Sequence, residues 1–231
     1  MNARRGYVPE DDRNFSSSAI ETMRTASRHI KYLINEGYDL KTASTFVGNH
    51  FLLSERQRLA IVRSLATKEQ LEIRKAKERT SAAGSEVWID GFNLIISLEV
   101  LFSSSALFVC MDGTIRDLAA LRGTYRIIPE TSEGIRLLFE VLTEMKVKSA
   151  NILLDEPVSN SGRLKALIAG IGKNYPVSLD IRIRKDVDRE LYGKENVITS
   201  DSVILDHCGS WINLMPLCLE RHGGQTLRVW E

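Results

Sequence analysis

The hydrophobic periodicity of this 231-residue chain changes near residue 85. Between residues 16 and 80 the apolar residues recur at the three-, four- and seven-residue spacing of one helix face. Beyond that point they come in short runs separated by helical segments. Strands that alternate with helices usually form a largely parallel sheet with helices on both faces. The sequence therefore predicts an α/β domain over residues 85–231, preceded by a small all-α accessory domain over residues 1–80.

Three helices are predicted in the first part of the chain. Ser17 or Ser18 can cap the first, and the second spans residues 40–50. Ser54 and Gln57 have the spacing of a capping box, which indicates the start of a third helix. Short helices joined by a tight turn resemble a helix-turn-helix, whose second helix could contact nucleic acid. A plain helical bundle with solvated arginines explains the same pattern equally well.

The two parts of the chain differ in charge. Residues 1–80 contain fifteen Lys and Arg against ten Asp and Glu, a net charge of +5, whereas residues 81–231 carry −4. Residues 67–79 are highly charged and predict a solvated helical connector, which runs into a flexible Ser/Ala/Gly hinge near residues 80–85. A basic helical part could therefore supply affinity for a polyanion that an acidic α/β domain would lack.

Aspartates follow four of the apolar runs in the α/β part. The predicted strands are residues 87–90, 106–111, 150–155, 177–183 and 196–199, with a last strand at 226–231 and a hairpin within 94–111. The aspartates are Asp90, Asp112, Asp155 and Asp201. One acidic residue after a strand is more often a helix cap or turn former than a catalytic group. Because ligands bind beyond the carboxyl ends of parallel strands, several such aspartates can converge and hold Mg²⁺ or Mn²⁺.

Two short motifs add a family resemblance. The first is Ile-Asp-Gly-Phe-Asn at residues 89–93, and the second is Thr-Ser-Asp at residues 199–201. Over residues 85–215 the sequence resembles the PIN-like nuclease superfamily, including its NYN branch. With the helical segment GYDLKTASTFVGNHFLLSERQR ahead of it, the whole chain also resembles a family of uncharacterised, chiefly archaeal proteins. The first resemblance implies a metal-dependent nuclease.

The resemblance to PIN-like nucleases also implies roles for individual residues. Asp90 and Asp201 would be metal ligands, and Asn93 would position a ligand or substrate. Further acids would come from a central helix and a fourth strand, and the candidates for these are Glu133, Asp117 and Asp155. Asp90, Asp155 and Asp201 are then the predicted catalytic residues, working with Mg²⁺ or Mn²⁺.

Phosphate contacts are predicted at two places. Ser200 lies in the second motif, where its hydroxyl could bond a helix start or a phosphate. The turn at residues 159–162 precedes Arg163 and Lys165, so backbone amides and positive charge could meet a phosphate there. A helix start with polar caps explains this second pattern equally well.

Two other functions remain open from the sequence. Residues 108–117 are similar to the first motif of haloacid-dehalogenase-type phosphatases, with Asp201 and Asp206 imitating a later acidic motif. The family's nucleophilic aspartate is replaced by Cys110, which cannot form the acyl phosphate, so this phosphatase is the second choice. A catalytically silent nucleic-acid-binding protein on the same fold is the third.

The cysteines and the N-terminal sequence bear on location. Cys110, Cys208 and Cys218 show no C-x-x-C spacing, so no disulfide framework or zinc site is predicted. The N-terminal residues lack the apolar core of a signal peptide, and the longest apolar stretch, interrupted by Ser97 and Glu99, is too short to cross a bilayer. We expect a soluble cytoplasmic protein whose partner is nucleic acid, RNA rather than DNA. We expect no membrane partner, and the sequence leaves open whether the protein forms a homodimer.

Overall fold

The computed structural model describes residues 4–119 and 124–231. Its strands are β1 (Glu78–Arg79), β2 (Glu86–Asp90), β3 (Leu107–Val109), β4 (Ile115–Asp117), β5 (Ser149–Asp155), β6 (Ser178–Arg184), β7 (Val197–Ile198) and β8 (Trp211–Ile212). Six of them form one parallel sheet in the order β1-β8-β7-β2-β5-β6, and β3 pairs with β4 in an antiparallel hairpin. The predicted α/β class is confirmed.

Helices connect and cover these strands. They are α1 (Asp11–Asn14), α2 (Ser17–Asn35), α3 (Leu40–His50), α4 (Glu55–Ser64), α5 (Lys68–Lys77), α6 (Gly91–Phe102), α7 (Pro129–Glu144), α8 (Ser161–Gly172), α9 (Val187–Leu191), α10 (Ser202–His207) and α11 (Met215–His222). The predicted capping box of the third helix is confirmed, because Ser54 and Gln57 each bond the other's backbone N–H. Ser16, one residue before the predicted position, caps α2.

Side chains alternate across the two faces of the sheet. Ile89 and Ile152 face a core that includes buried residues of α6, α7 and α8. Trp88 and Leu153 face a smaller core with residues of α9 and α10. Every second side chain of a strand points to the same face of the sheet. The side chains of Asp90 and Asp155 therefore lie on the same face as those of Trp88 and Leu153. Both acids therefore lie at the carboxyl edge of the sheet and on the same side of it.

The predicted hairpin within residues 94–111 is wrong. Residues 91–102 form α6, which is buried along nearly its whole length between the sheet and α7. A helix buried on all sides has no polar face, so its sequence lacks the helical periodicity and cannot be told from strands by pattern alone. The three serines at 103–105 follow the helix end rather than forming a hairpin turn.

The last predicted strand is also wrong. In residues 226–231 only Leu227 forms a bridge, in parallel to Phe108 of β3. The rest of this tail is attached by side chains: the Trp230 indole N–H donates to the carbonyl of Val109 at 2.6 Å, and the Ser27 hydroxyl donates to that of Val229 at 2.6 Å. The tail therefore connects the hairpin with α2.

The N-terminal helices share a core with parts of the following region. Met23, Ile30 and Ile61 pack in one buried cluster with Phe108 of β3 and Val229 of the tail. Since β1 follows α5 directly and pairs with β8, the chain passes from the helices into the sheet without a long linker. These contacts place α4 and α5 beside the sheet, where both help to form the cleft described below.

Candidate active site

A cleft of about 450 Å³ lies at the carboxyl ends of β2, β5 and β7. Four aspartates line it: Asp90, Asp117, Asp155 and Asp201. Residues of α4 and α5 form another part of its wall. The structure thus brings these four candidate acids to one cleft, whereas the candidate Glu133 lies on α7, where it forms an ion pair with Arg136.

Asp90 ends β2 and caps α6, so the strand turns directly into a helix at this carboxylate. The next residue has to be glycine. A Cβ atom at position 91 would lie 2.6 Å from the carbonyl oxygen of Leu153 and 2.6 Å from a methyl carbon of Leu154. Gly91 therefore lets the first turn of α6 approach β5 closely, and this approach sets the position of Asp90.

Thr199 joins the two motifs. It follows Ile198, which pairs with Ile89, so it lies beside Asp90. Its hydroxyl is 2.9 Å from Asp90 Oδ2, to which it donates, and it accepts the Asp201 backbone N–H at 3.0 Å. Two aspartates that are distant in sequence are therefore held through one hydroxyl group.

Asp201 has a second structural role. Its carboxylate accepts the backbone N–H groups of Val203 at 2.8 Å and Ile204 at 3.2 Å, and so caps α10. Oδ1 accepts both of these bonds, and Oδ2 receives none from the described residues. One oxygen of this carboxylate is therefore available to a ligand in the cleft.

Asn93 is oriented by the second motif. Its Oδ1 accepts the Ser200 backbone N–H and the Ser200 hydroxyl, both at 2.9 Å. Because a backbone N–H can only donate, these bonds fix which side of the amide is oxygen. The Nδ2 group has no acceptor among the described residues, and both side chains line the cleft. Asn93 is thus available as a hydrogen-bond donor to a ligand.

Burial raises the pKa of Asp90 from its usual value of 3.8 to about 7, because the side chain is removed from water and only 6% exposed. The hydrogen bond from Thr199 lowers the pKa by a smaller amount. Negative charges nearby raise it further, and they belong to Asp201, Asp155 and Asp188. This carboxyl group therefore changes its protonation near neutral pH.

The neighbouring acids repel one another in the same way. Burial is the main cause that raises the pKa of Asp155, and the negative charges of Asp188 and Asp186 raise it further. Burial is also the main cause that raises the pKa of Asp188, with a further rise from the negative charges of Asp201 and Asp186. Across residues 4–119 and 124–231, no Lys, Arg or His forms an ion pair with Asp90, Asp155, Asp188 or Asp201. We call these four residues the acidic cluster.

Asp117 differs from the acidic cluster in its contacts. Its Oδ2 accepts the Ser97 hydroxyl at 2.7 Å, and its Oδ1 accepts the Ala119 backbone N–H at 2.7 Å. Arg63 of α4 lies 3.7 Å from Oδ1. Asp117 is thus in the cleft, as predicted, but its carboxylate is already engaged by the protein.

Asp112 and Asp206 form a buried ion-pair network with arginines. Arg74 of α5 contacts Asp112 at 2.7 Å and Asp206 at 2.6 Å, and Arg116 of β4 contacts Asp112 at 2.6 Å. The side chain of Asp112 is only 1% exposed. This arrangement suits a structural role for Asp112 and Asp206, because arginine holds these two of the three acids that the phosphatase hypothesis would use. The prediction of a solvated connector over residues 67–79 is wrong at Arg74, because this side chain is buried and forms ion pairs with Asp112 and Asp206.

The remaining predicted phosphate contacts lie elsewhere. Arg163 and Lys165 are exposed on α8 and do not line the cleft. Asn160, at the start of that helix, has a left-handed backbone with φ 64°, and its amide donates to the carbonyl of Tyr125 at 2.6 Å. Of the predicted substrate-binding residues, the structure brings Asn93 and Ser200 to the acids and leaves the two basic residues apart.

Two residues near the acids were not found from the sequence. Asp188 lies beyond the end of β6, in α9. The other aspartates were selected because they directly follow a strand, and a search that extended four residues beyond each strand would also have included Asp188. Arg63 lies in the cleft because α4 packs beside the sheet. No local pattern marks this arginine, since its position depends on contacts between distant parts of the chain.

The donor chemistry of the acidic cluster fits a hard divalent cation, which prefers carboxylate oxygen ligands. Binding one would also offset the charge repulsion that, together with burial, raises the pKa values of Asp90, Asp155 and Asp188. With the side chains as they stand, no three His, Cys, Asp or Glu residues in the described part of the chain are arranged to hold a metal ion. Side-chain rotation at the partly exposed Asp155 and Asp201 would therefore have to accompany binding.

Comparisons with known proteins place the chain in a family. Residues 79–216 match the model of "Domain of unknown function (DUF5616)", and residues 22–77 match that of "Protein of unknown function (DUF434)". "Uncharacterized protein MJ0935" of Methanocaldococcus jannaschii is 37% identical over 186 residues, which cover 80% of this chain and 89% of that protein. No solved structure matches. No helix within the described ranges is long and apolar enough to cross a membrane. Because the first match spans more than half of the sequence, the chain belongs to the DUF5616 family.

Proposed function

We propose that this protein is a metal-dependent nuclease that hydrolyses phosphodiester bonds in the cleft, with RNA as the preferred substrate. The observation that carries the proposal is the acidic cluster: Asp90, Asp155 and Asp201 line one cleft, and the charges of Asp155, Asp188 and Asp201 all act on the buried Asp90. None of the four acids has an ion-pair partner in the described residues. Perturbed pKa values of this kind concentrate at functional sites. The resemblance of residues 85–215 to PIN-like nucleases supports the same reading.

Asp90, Asp155 and Asp201 would hold Mg²⁺ or Mn²⁺, with Asp188 as a further acid. When bound, the metal would activate a water molecule and stabilise negative charge on the phosphate. Asp117 is a weaker candidate, because Ser97 and the backbone already use its oxygens.

The protein's own groups then have defined tasks. Asn93 would donate its free amide N–H to a phosphate oxygen, while Ser200 holds the amide in place. The Thr199 hydroxyl would keep Asp90 oriented toward the cleft. Since the pKa of Asp90 is about 7, protonation of this carboxyl competes with cation binding, and activity should increase as the pH rises through neutrality.

The test compares the wild type with the double variant Asp90→Asn/Asp201→Asn. Asparagine retains an oxygen for the Thr199 bond and is a good helix cap, so the fold should persist, as circular dichroism can verify. We expect Mn²⁺-dependent cleavage of labelled single-stranded or structured RNA by the wild type only. Mn²⁺ binding, measured by calorimetry, should be much weaker in the variant.

Two outcomes would contradict the proposal. Equal cleavage by wild type and double variant would mean that the acidic cluster does not perform the reaction. RNA binding without any cleavage, with Mn²⁺ or Mg²⁺ present, would instead favour a silent nucleic-acid-binding protein.

A further inference from the structure

The second wall of the cleft comes from the N-terminal helical region. Leu40 of α3, together with Val62 and Arg63 of α4, lines the cleft opposite the strand ends. The cleft is therefore formed jointly by the helices and the sheet, although the two parts match different family models. This raises the question of what the helical wall contributes to binding.

Three arginines line the cleft, and in two of them all three guanidinium nitrogens already donate to groups of the protein. Arg74 directs its guanidinium to Asp206, to Asp112 and, at 3.4 Å, to the Ser202 carbonyl. Arg116 donates to the Ser200 carbonyl at 2.6 Å, to Asp112 at 2.6 Å and to the Arg63 carbonyl. Both side chains are nearly inaccessible to water. They organise the protein around the cleft rather than binding a ligand.

Arg63 is different from these two arginines. Its Nη1 donates to the backbone carbonyl of Asp117, and this bond fixes one end of the guanidinium. Its Nε and Nη2 groups donate to no other group in the part of the chain that the structure describes. The side chain is 34% exposed. Because Asp117 also receives bonds from Ser97 and Ala119, Arg63 is not needed to satisfy both of its oxygens.

We infer that Arg63 binds a phosphate group of the substrate, so that the helical region supplies part of the substrate site. An anchored guanidinium with two free donors is suited to the paired oxygens of a phosphate. Asp90, Asp155 and Asp201 of the acidic cluster line the same cleft, so the site has an anionic part for a cation and a cationic part for a phosphate. This assignment rests on the proposed function, which it deepens by naming a phosphate anchor.

The experiment compares Arg63→Gln with Arg58→Gln. Both arginines belong to α4, both variants remove one positive charge, and each arginine donates one bond to a backbone carbonyl, that of Leu53 at 2.9 Å for Arg58. Arg58 does not line the cleft. Binding of a short fluorescein-labelled single-stranded RNA is measured by anisotropy in the Asp90→Asn/Asp201→Asn background, so that cleavage does not interfere.

We expect Arg63→Gln to weaken RNA binding by about tenfold or more, since a charge-assisted hydrogen bond and a phosphate contact are lost. The salt dependence of log Kd should fall by about one unit of slope, as for one phosphate contact. Arg58→Gln should change Kd much less, and Arg63→Lys should lie between, because it keeps the charge without the fork.

Equal Kd values and equal salt slopes for Arg63→Gln and Arg58→Gln would overturn the inference. If Arg63→Gln does not fold, the same comparison between Arg63→Met and Arg58→Met decides it, and equal values there would overturn the inference as well. The proposed function fails separately. Arg63-dependent binding with no cleavage by the wild type would leave the phosphate anchor standing and remove the nuclease. Cleavage by the wild type with an unchanged KM in Arg63→Gln would do the reverse.

Discussion

Replacing Asp90 by Asn tests whether a buried carboxyl group really is held among like charges. Asn keeps the size of the side chain, an acceptor for the Thr199 hydroxyl and the capping of α6. It removes only the ionisable group. The variant therefore isolates the electrostatic part of the site from its packing.

The magnitude follows from the pKa of Asp90. A rise from 3.8 to about 7 is about three pK units, so the ionised carboxyl destabilises the folded state by on the order of 4 kcal/mol at high pH. The folded protein binds this proton more tightly than the unfolded chain. The stabilisation by the proton is complete below the unfolded pKa of 3.8 and is lost as the pH rises through the folded pKa of about 7. About 3 kcal/mol of this loss falls between pH 5 and pH 8.

The assay is urea unfolding of both proteins at a series of pH values in EDTA. Asp90→Asn should gain stability over the wild type as the pH increases, and most of the gain should appear between pH 5 and pH 8. Adding Mn²⁺ at pH 8 should stabilise the wild type and reduce the difference. Parallel stability curves for the two proteins, with no divergence at higher pH, would refute the reasoning, because Asp90 would then titrate as an ordinary exposed acid.

Three further substitutions test the surroundings of the cluster. Gly91→Ala should lower the free energy of unfolding by about 1–3 kcal/mol, measured by urea unfolding, because the added Cβ would meet the backbone of β5; unchanged stability would contradict the close approach. Thr199→Val should raise the pKa of Asp90 further by removing a stabilising hydrogen bond, visible in NMR titration of the carboxyl carbon, and a lower pKa would contradict it. Arg74→Met should destabilise the protein by about 3–5 kcal/mol in urea unfolding because Asp112 and Asp206 lose a buried partner, whereas a neutral effect would show that the network relaxes.

Local sequence signals were enough for much of the architecture. The predicted helix over residues 40–50 coincides with α3, because a cap and one apolar face are properties of the segment itself. The capping box of Ser54 and Gln57 was predictable for the same reason. The meeting of Asp90 and Asp201 in one cleft followed from a general rule about parallel sheets, once the strands were recognised.

Features that depend on tertiary contacts were not predictable in this way. The helix α6 lacks a polar face because the sheet, α7 and the hairpin surround it, so its sequence resembles two strands. Arg74 has the local pattern of a solvated charge, and only the folded chain brings Asp112 and Asp206 to it. The same reason explains why Arg63 could not be assigned to the cleft before its packing was known.

The distribution of arginines around the cleft strengthens the case for a cation site. Arg63, Arg74 and Arg116 all line the cleft, so positive side chains are present close to the acidic cluster. They form ion pairs with Asp112, Asp117 and Asp206 and leave the cluster without a partner in the described residues. Asp90 is the buried member of the cluster, and an uncompensated buried carboxylate destabilises a protein, as its pKa of about 7 indicates. An arrangement that neutralises three acids and leaves four neighbouring ones unneutralised is what a site for an external cation requires, because a protein cation in that place would exclude it.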